Sequence, residues 1–102
     1  MTESEFNQRA NDLFERIGAA VDAGDSDCDW DMNEGILTLH TEGGQIIINR
    51  HAPNQEIWLA GKTGAAHFRW DGAAWQDTRS AQDFSSALML MFKAHTDVSL
   101  DF

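Results

Sequence analysis

The apolar residues of this chain change their spacing at Asp27 and change it back near Ser80, and that double switch admits few folds. Phe6, Ala10, Leu13, Phe14, Ile17 and Val21 recur every three or four positions, one stripe of a helix over residues 4–22. Thr2 and Glu5 stand at capping-box spacing before it, and Gly24 ends it. From Asp27 the period is two. Cys28, Trp30 and Met32 alternate with Asp27, Asp29 and Asp31, the pattern of a half-buried strand. Turn residues at 33–35, 43–44, 53, 61–64 and 71–72 then separate strands at 36–41, 45–50, 56–60, 65–70 and 74–77. Phe84, Ala87, Leu88 and Met91 restore helical spacing to about His95, with Ser80 and Asp83 again at capping-box spacing. The tail, residues 98–102, alternates and reads as extended.

Helix, strands joined by tight turns, helix: two helices cover only one face of such a meander. The expected fold is α+β, a two-layer sandwich with both helices on one face of an antiparallel sheet and the other face open. A chain of 102 residues is most simply one domain, residues 1–102. Side-chain parity says what lies on the open face. If Ile57 and Leu59 point at the helices, Trp58 points away. By the same alternation His67 and Arg69 oppose Phe68 and Trp70, and Asn49 opposes Ile48. A tryptophan ringed by polar groups on an open sheet face reads as an interaction anchor.

Charge is distributed unevenly. Ten of the seventeen acidic residues fall in the first 34 positions, against only Arg9 and Arg16, and the whole chain carries −10. Glu5, Asp12, Glu15 and Asp22 fall opposite the apolar stripe of the first helix, and Asp25, Asp27, Asp29 and Asp31 follow at every second residue. Crowded like charges cost folding energy, so the arrangement suits cations or a basic partner. The sign disfavours nucleic acid and anionic membranes. The acidic run is not an EF-hand. Counted from Asp25, position six is Trp30 instead of glycine and position twelve is Ile36 instead of glutamate. Alternate carboxylates on a strand are about 7 Å apart. Weak, partly hydrated binding of several hard cations through oxygen ligands is the expectation. A solvated acidic surface that only keeps the protein soluble is the competing reading.

Cys28 is the one cysteine and reads as a small core residue, so neither a disulfide nor a cysteine-built zinc site forms within the chain. His40, His51, His67 and His95 show no metal-ligand spacing and read as surface histidines. No catalytic triad, phosphate loop or paired-carboxylate cleft can be argued. The start has no basic, apolar signal segment, and the longest apolar run, 87–92, is far short of the roughly 20 residues of a membrane span. The sequence therefore reads as a cytoplasmic protein and not an enzyme.

The whole pattern resembles the frataxin family, specifically its bacterial members. The resemblance is carried by Ser4-Glu5-Phe6 opening an acidic helix and by the run from Asp25 to Asp31. Gly35-Ile36-Leu37-Thr38-Leu39, Ile46-Ile47-Ile48-Asn49-Arg50, Pro53 and Ile57-Trp58-Leu59-Ala60 follow, then His67-Phe68, Trp75 and Arg79. It spans essentially the full length and implies an α-β-β-β-β-β-β-α sandwich. It also implies an accessory protein of iron–sulfur cluster assembly, binding iron(II) or iron(III) weakly on an acidic ridge and docking on the cysteine desulfurase and its scaffold protein. Bacterial members are described as slowing the desulfurase, with an iron-donor role argued alongside. The ridge would comprise Asp12, Glu15, Asp22, Asp25, Asp27, Asp29 and Asp31, with Glu3 at its end. The partner-binding sheet surface would include Asn49 and Trp58, flanked by His51 and His67 at positions that vary in the family.

Two departures thin that ridge. Gly18-Ala19-Ala20 stands where relatives carry further carboxylates, and the chain is about two residues shorter before Gly24. Lower iron capacity and weaker attraction to a basic desulfurase surface are the expectation. A monomer is expected, with iron-driven oligomers a further state once the ridge is neutralised. Two rivals have the same charge pattern: an iron-oxidising ferroxidase, and an acidic mimic of nucleic acid with no iron role.

Overall fold

The computed structural model describes residues 1–24 and 27–102. Helix α1 (Glu3–Ala23) opens on the capping box seen in the sequence: Thr2 Oγ1 accepts from the Glu5 amide while the Glu5 carboxylate accepts from the Thr2 amide. Six strands follow in an unbroken antiparallel meander: β1 (Asp29–Asn33), β2 (Ile36–Thr41), β3 (Gly44–His51), β4 (Glu56–Gly61), β5 (Gly64–Trp70) and β6 (Trp75–Asp77). Each strand pairs with the one before it, because every connection is short enough to return the chain beside itself. Glu34 (φ 51°) and Gly35 (φ 80°) both take the left-handed backbone that a tight β1–β2 hairpin requires. Helix α2 (Phe84–Thr96) closes the fold.

Alternate strand residues and the apolar stripes of both helices meet in one core. Phe6, Ile17, Leu37, Leu39, Ile46, Ile48, Ile57, Leu59, Phe68, Phe84, Leu88 and Phe92 are its largest fully buried members. Edge-to-face ring pairs, Phe6–Trp75 at 6.0 Å and Phe68–Phe84 at 5.2 Å, tie each helix to the sheet. Both helices therefore lie on one face, and the other face is open.

Four expectations need correction. Helix α2 is capped by Asp83, whose carboxylate accepts from the Ser86 amide, and Ser80 belongs to the preceding turn. Strand β1 is not half buried: all five of its residues are exposed, because it is the sheet edge with a neighbour on one side only. The tail forms no strand, although Leu100 is buried and Val98 and Phe102 pack on the core. His95 is not a surface histidine. It is 5% exposed, its Nε2 accepts from the Lys62 amide at 3.1 Å, and its Nδ1 lies 3.0 Å from Thr41 Oγ1. One imidazole thereby fastens the β2–β3 and β4–β5 turns to α2.

Candidate functional site

The acidic residues divide between the two layers along one edge of the molecule. On α1, Glu15 and Asp22 flank the side that faces β1: Glu15 lines a slot with Trp30 and Met32, and Asp22 Oδ1 accepts from Trp30 Nε1 at 2.9 Å. Asp12 lies farther round, where its carboxylate accepts from Gln8 Nε2. Glu3 is exposed in the first turn. On β1, Trp30 and Met32 pair with the buried Leu39 and Leu37 and share their face. Asp29 and Asp31 project to the opposite, open face, where Asp31 lies 2.6 Å from His40 Nε2. Asp27 is exposed just ahead of the strand. Asp25 lies outside the described residues.

Two features of the edge are not visible in the sequence. Arg9 and Arg16, the only cations of the N-terminal third, are held on the other flank of α1 by stacking over Trp70 (4.3 Å) and Phe102 (4.7 Å). The two arginines of α1 are therefore directed away from the carboxylates that face β1, and Arg50, which donates to Asn11, is the cation that reaches this side of the helix among the described residues. Gly18, which interrupts the acidic face, is the seat of the Trp30 ring. A Cβ there would come within 2.9 Å of the indole. The turn of α1 without a carboxylate at Gly18 and the tryptophan on β1 are one packing solution.

Among the described residues no three Asp, Glu, His or Cys side chains converge to hold a metal ion. The donor set is exposed carboxylate oxygen, which suits loosely held, hydrated cations and not a closed coordination cage. Cys28 is half buried against the core, and burial followed by the Asp29 charge pushes its thiol up from the ordinary range. It is a poor metal ligand and a poor nucleophile.

The open face carries a second constellation. Asn49 and Trp58 are cross-strand partners, as are Trp58 and His67. The Trp58 ring is sandwiched between two imidazoles, His51 at 4.2 Å and 19° and His67 at 4.5 Å and 10°. Glu56, only 5% exposed, lies alongside: its carboxylate accepts from Trp58 Nε1 at 3.0 Å and from Arg69 Nε at 2.9 Å. Burial would push this carboxyl up. The hydrogen bonds from Trp58 and Arg69, with the nearby charges of Arg69 and His67, outweigh that and hold it below the usual carboxylate range. Its cover is a single layer of side chains on the sheet, not the protein interior, so the ion pair remains well screened.

Sequence reading placed Trp58, Asn49, His51 and His67 on one surface but missed Glu56. The signal was present, since Glu56 shares the parity of Trp58 two residues on, directly across from Arg69.

The frataxin-like domain model matches residues 1–98. The chain is 42% identical over 90 residues to the iron–sulfur cluster assembly protein CyaY of Dechloromonas aromatica, covering 86% of each chain. It is 43% identical over 89 residues to the protein of that name from Neisseria meningitidis serogroup B, covering 86% of this chain and 83% of the relative. Among solved structures, the frataxin of Psychromonas ingrahamii superposes with a TM-score of 0.92 at 31% identity, covering 99% and 97% of the two chains. Yeast frataxin shares the fold, with a TM-score of 0.73 at 21% identity over 90% of this chain and 80% of that one.

Proposed function

This chain belongs to the frataxin family, and from that premise we propose that it is a non-catalytic accessory protein of iron–sulfur cluster assembly. It docks on the cysteine desulfurase and its scaffold protein, modulates the rate of cluster formation, and binds iron weakly. The observation that supports this reading best is the sorting of charge on α1. Glu15 and Asp22 face the β1 edge bearing Asp29 and Asp31, while the two arginines of the helix itself, Arg9 and Arg16, are pinned on aromatic rings elsewhere.

The edge acts at two ranges. At long range its uncompensated field steers a basic surface into contact and raises the association rate, an effect that salt weakens. At short range its carboxylates share the water shell of hydrated iron, with the metal as cargo. Asp12, Asp27 and Glu3 extend the field without closing a cage, and Asp25 belongs to the same sequence run. The Trp58 platform, with Asn49, His51 and His67, supplies a pre-ordered contact for the scaffold, because its indole is already fixed before docking.

The test is a cluster-assembly assay with the matched desulfurase and scaffold, with and without this protein. A change in rate that scales with protein concentration and is lost when Asp22, Asp27, Asp29 and Asp31 become asparagine supports the reading. An unchanged rate with all three proteins present would overturn it.

A further inference from the structure

An apolar slot opens in the middle of the acidic edge. Phe14, Trp30, Met32 and Leu37 form its walls, and Asn11 and Glu15 form its rim. Trp30 and Met32 remain 38% and 42% exposed there, although both share the helix-side face with core residues. The slot is held in shape. Gly18 lets the indole lie against α1, and the Asp22 carboxylate fixes its Nε1–H. Along this side of α1 the charge is graded: Arg50 donates to Asn11 at one end, whereas Glu15 and Asp22 lie toward the other.

We propose that this slot receives one large apolar side chain from a lysine- or arginine-rich segment of a protein partner. The inference deepens the docking reading above and rests on it. Charge complementarity selects the occupant. The slot lies among carboxylates on a chain of net charge −10, which opposes seating of a second copy or of an anionic lipid surface. A basic segment satisfies the rim, and its apolar side chain removes Trp30 and Met32 from water. Electrostatics brings the partner to the edge, and the slot fixes its register.

The test uses the full chain and two basic peptides of equal charge, differing only in a central leucine or alanine. Their binding is followed by NMR through the Trp30 Nε1–H and Met32 methyl signals. The leucine peptide is expected to bind about tenfold more tightly, the difference a buried aliphatic side chain of that size makes. That preference disappears in Trp30→Ala and, should that variant fold poorly, in the milder Met32→Gln. Equal affinity of the two peptides for the unaltered protein overturns the slot. If the peptides are indistinguishable while the desulfurase still binds, the slot fails and the docking reading stands. If the peptides are distinguished while desulfurase and scaffold are ignored, the slot stands and the docking reading fails.

Discussion

Glu56 accepts the indole hydrogen bond of Trp58 from two residues away along the same strand, at 3.0 Å, and so fixes the orientation of the one tryptophan on the open sheet face. The contact is possible because residues two apart on a strand share a face. Arg69, directly across from Glu56 on β5, balances the charge. Two imidazoles then close on the ring from both sides.

Removing that carboxylate should cost more than removing its charge. Glu56→Ala leaves the Trp58 Nε1–H without its acceptor and Arg69 without its partner, a loss of about 1–3 kcal/mol. Glu56→Gln retains an acceptor and should lose less. Urea denaturation of both variants checks the order. Equal losses would mean that the hydrogen bond to Trp58 does not hold the platform.

Acid should erase the Glu56 and Asp83 contributions together. Glu56 is depressed despite its burial because Trp58 and Arg69 bond to the charged form. Asp83 is depressed first by its bond to Ser86 at the start of α2. A carboxyl depressed in the folded state stabilises at pH above its unfolded value, about 4, and that stabilisation is lost as pH falls through the folded value. Glu56→Gln and Asp83→Asn should therefore be less stable than the parent at pH 7 and converge with it below about pH 4. A stability gap of constant size from pH 7 to pH 3 would contradict this.

Gly18 and Trp30 should be coupled strongly enough to reverse the sign of a substitution. Alanine is favoured over glycine in a helix by about 1 kcal/mol, yet a Cβ at position 18 meets the Trp30 ring at 2.9 Å. Gly18→Ala should destabilise the parent and stabilise a Trp30→Ala background. A double-mutant cycle in thermal or chemical denaturation reads the difference, and additive effects would show that the ring does not rest on that glycine.

His95→Phe should destabilise by about 1–3 kcal/mol despite conserving an aromatic ring. The Lys62 amide then loses its acceptor, and Thr41 loses its link to α2. Amide hydrogen exchange at Lys62 should accelerate in the variant. Unchanged protection there would mean that the turn is held by its strand pairing alone.

Period and turn chemistry made the architecture legible in the residues: both helices, the succession of strands along the chain and the outward direction of Trp58 follow from spacing and turns. Three things did not follow. An edge strand shows the same alternation as an inner one, so the exposure of Trp30 and Met32 depended on strand order, which is a tertiary fact. His95 resembled any polar residue near a helix end, because the backbone groups it serves belong to turns 33 and 51 positions away. The pinning of Arg9 and Arg16 depended on Trp70 and Phe102, which only packing brings beside α1. Spacing of carboxylates along the chain indicated an acidic edge. It could not indicate that an apolar slot divides it.

The measurement that bears most directly on the electrostatic edge is the affinity for the matched cysteine desulfurase as a function of salt. Affinity should fall steeply as salt rises. Replacing Asp22, Asp27, Asp29 and Asp31 with asparagine should both lower it and flatten that dependence. An affinity indifferent to salt, or a quadruple variant that binds as the parent does, would contradict the role assigned to the carboxylates of α1 and β1.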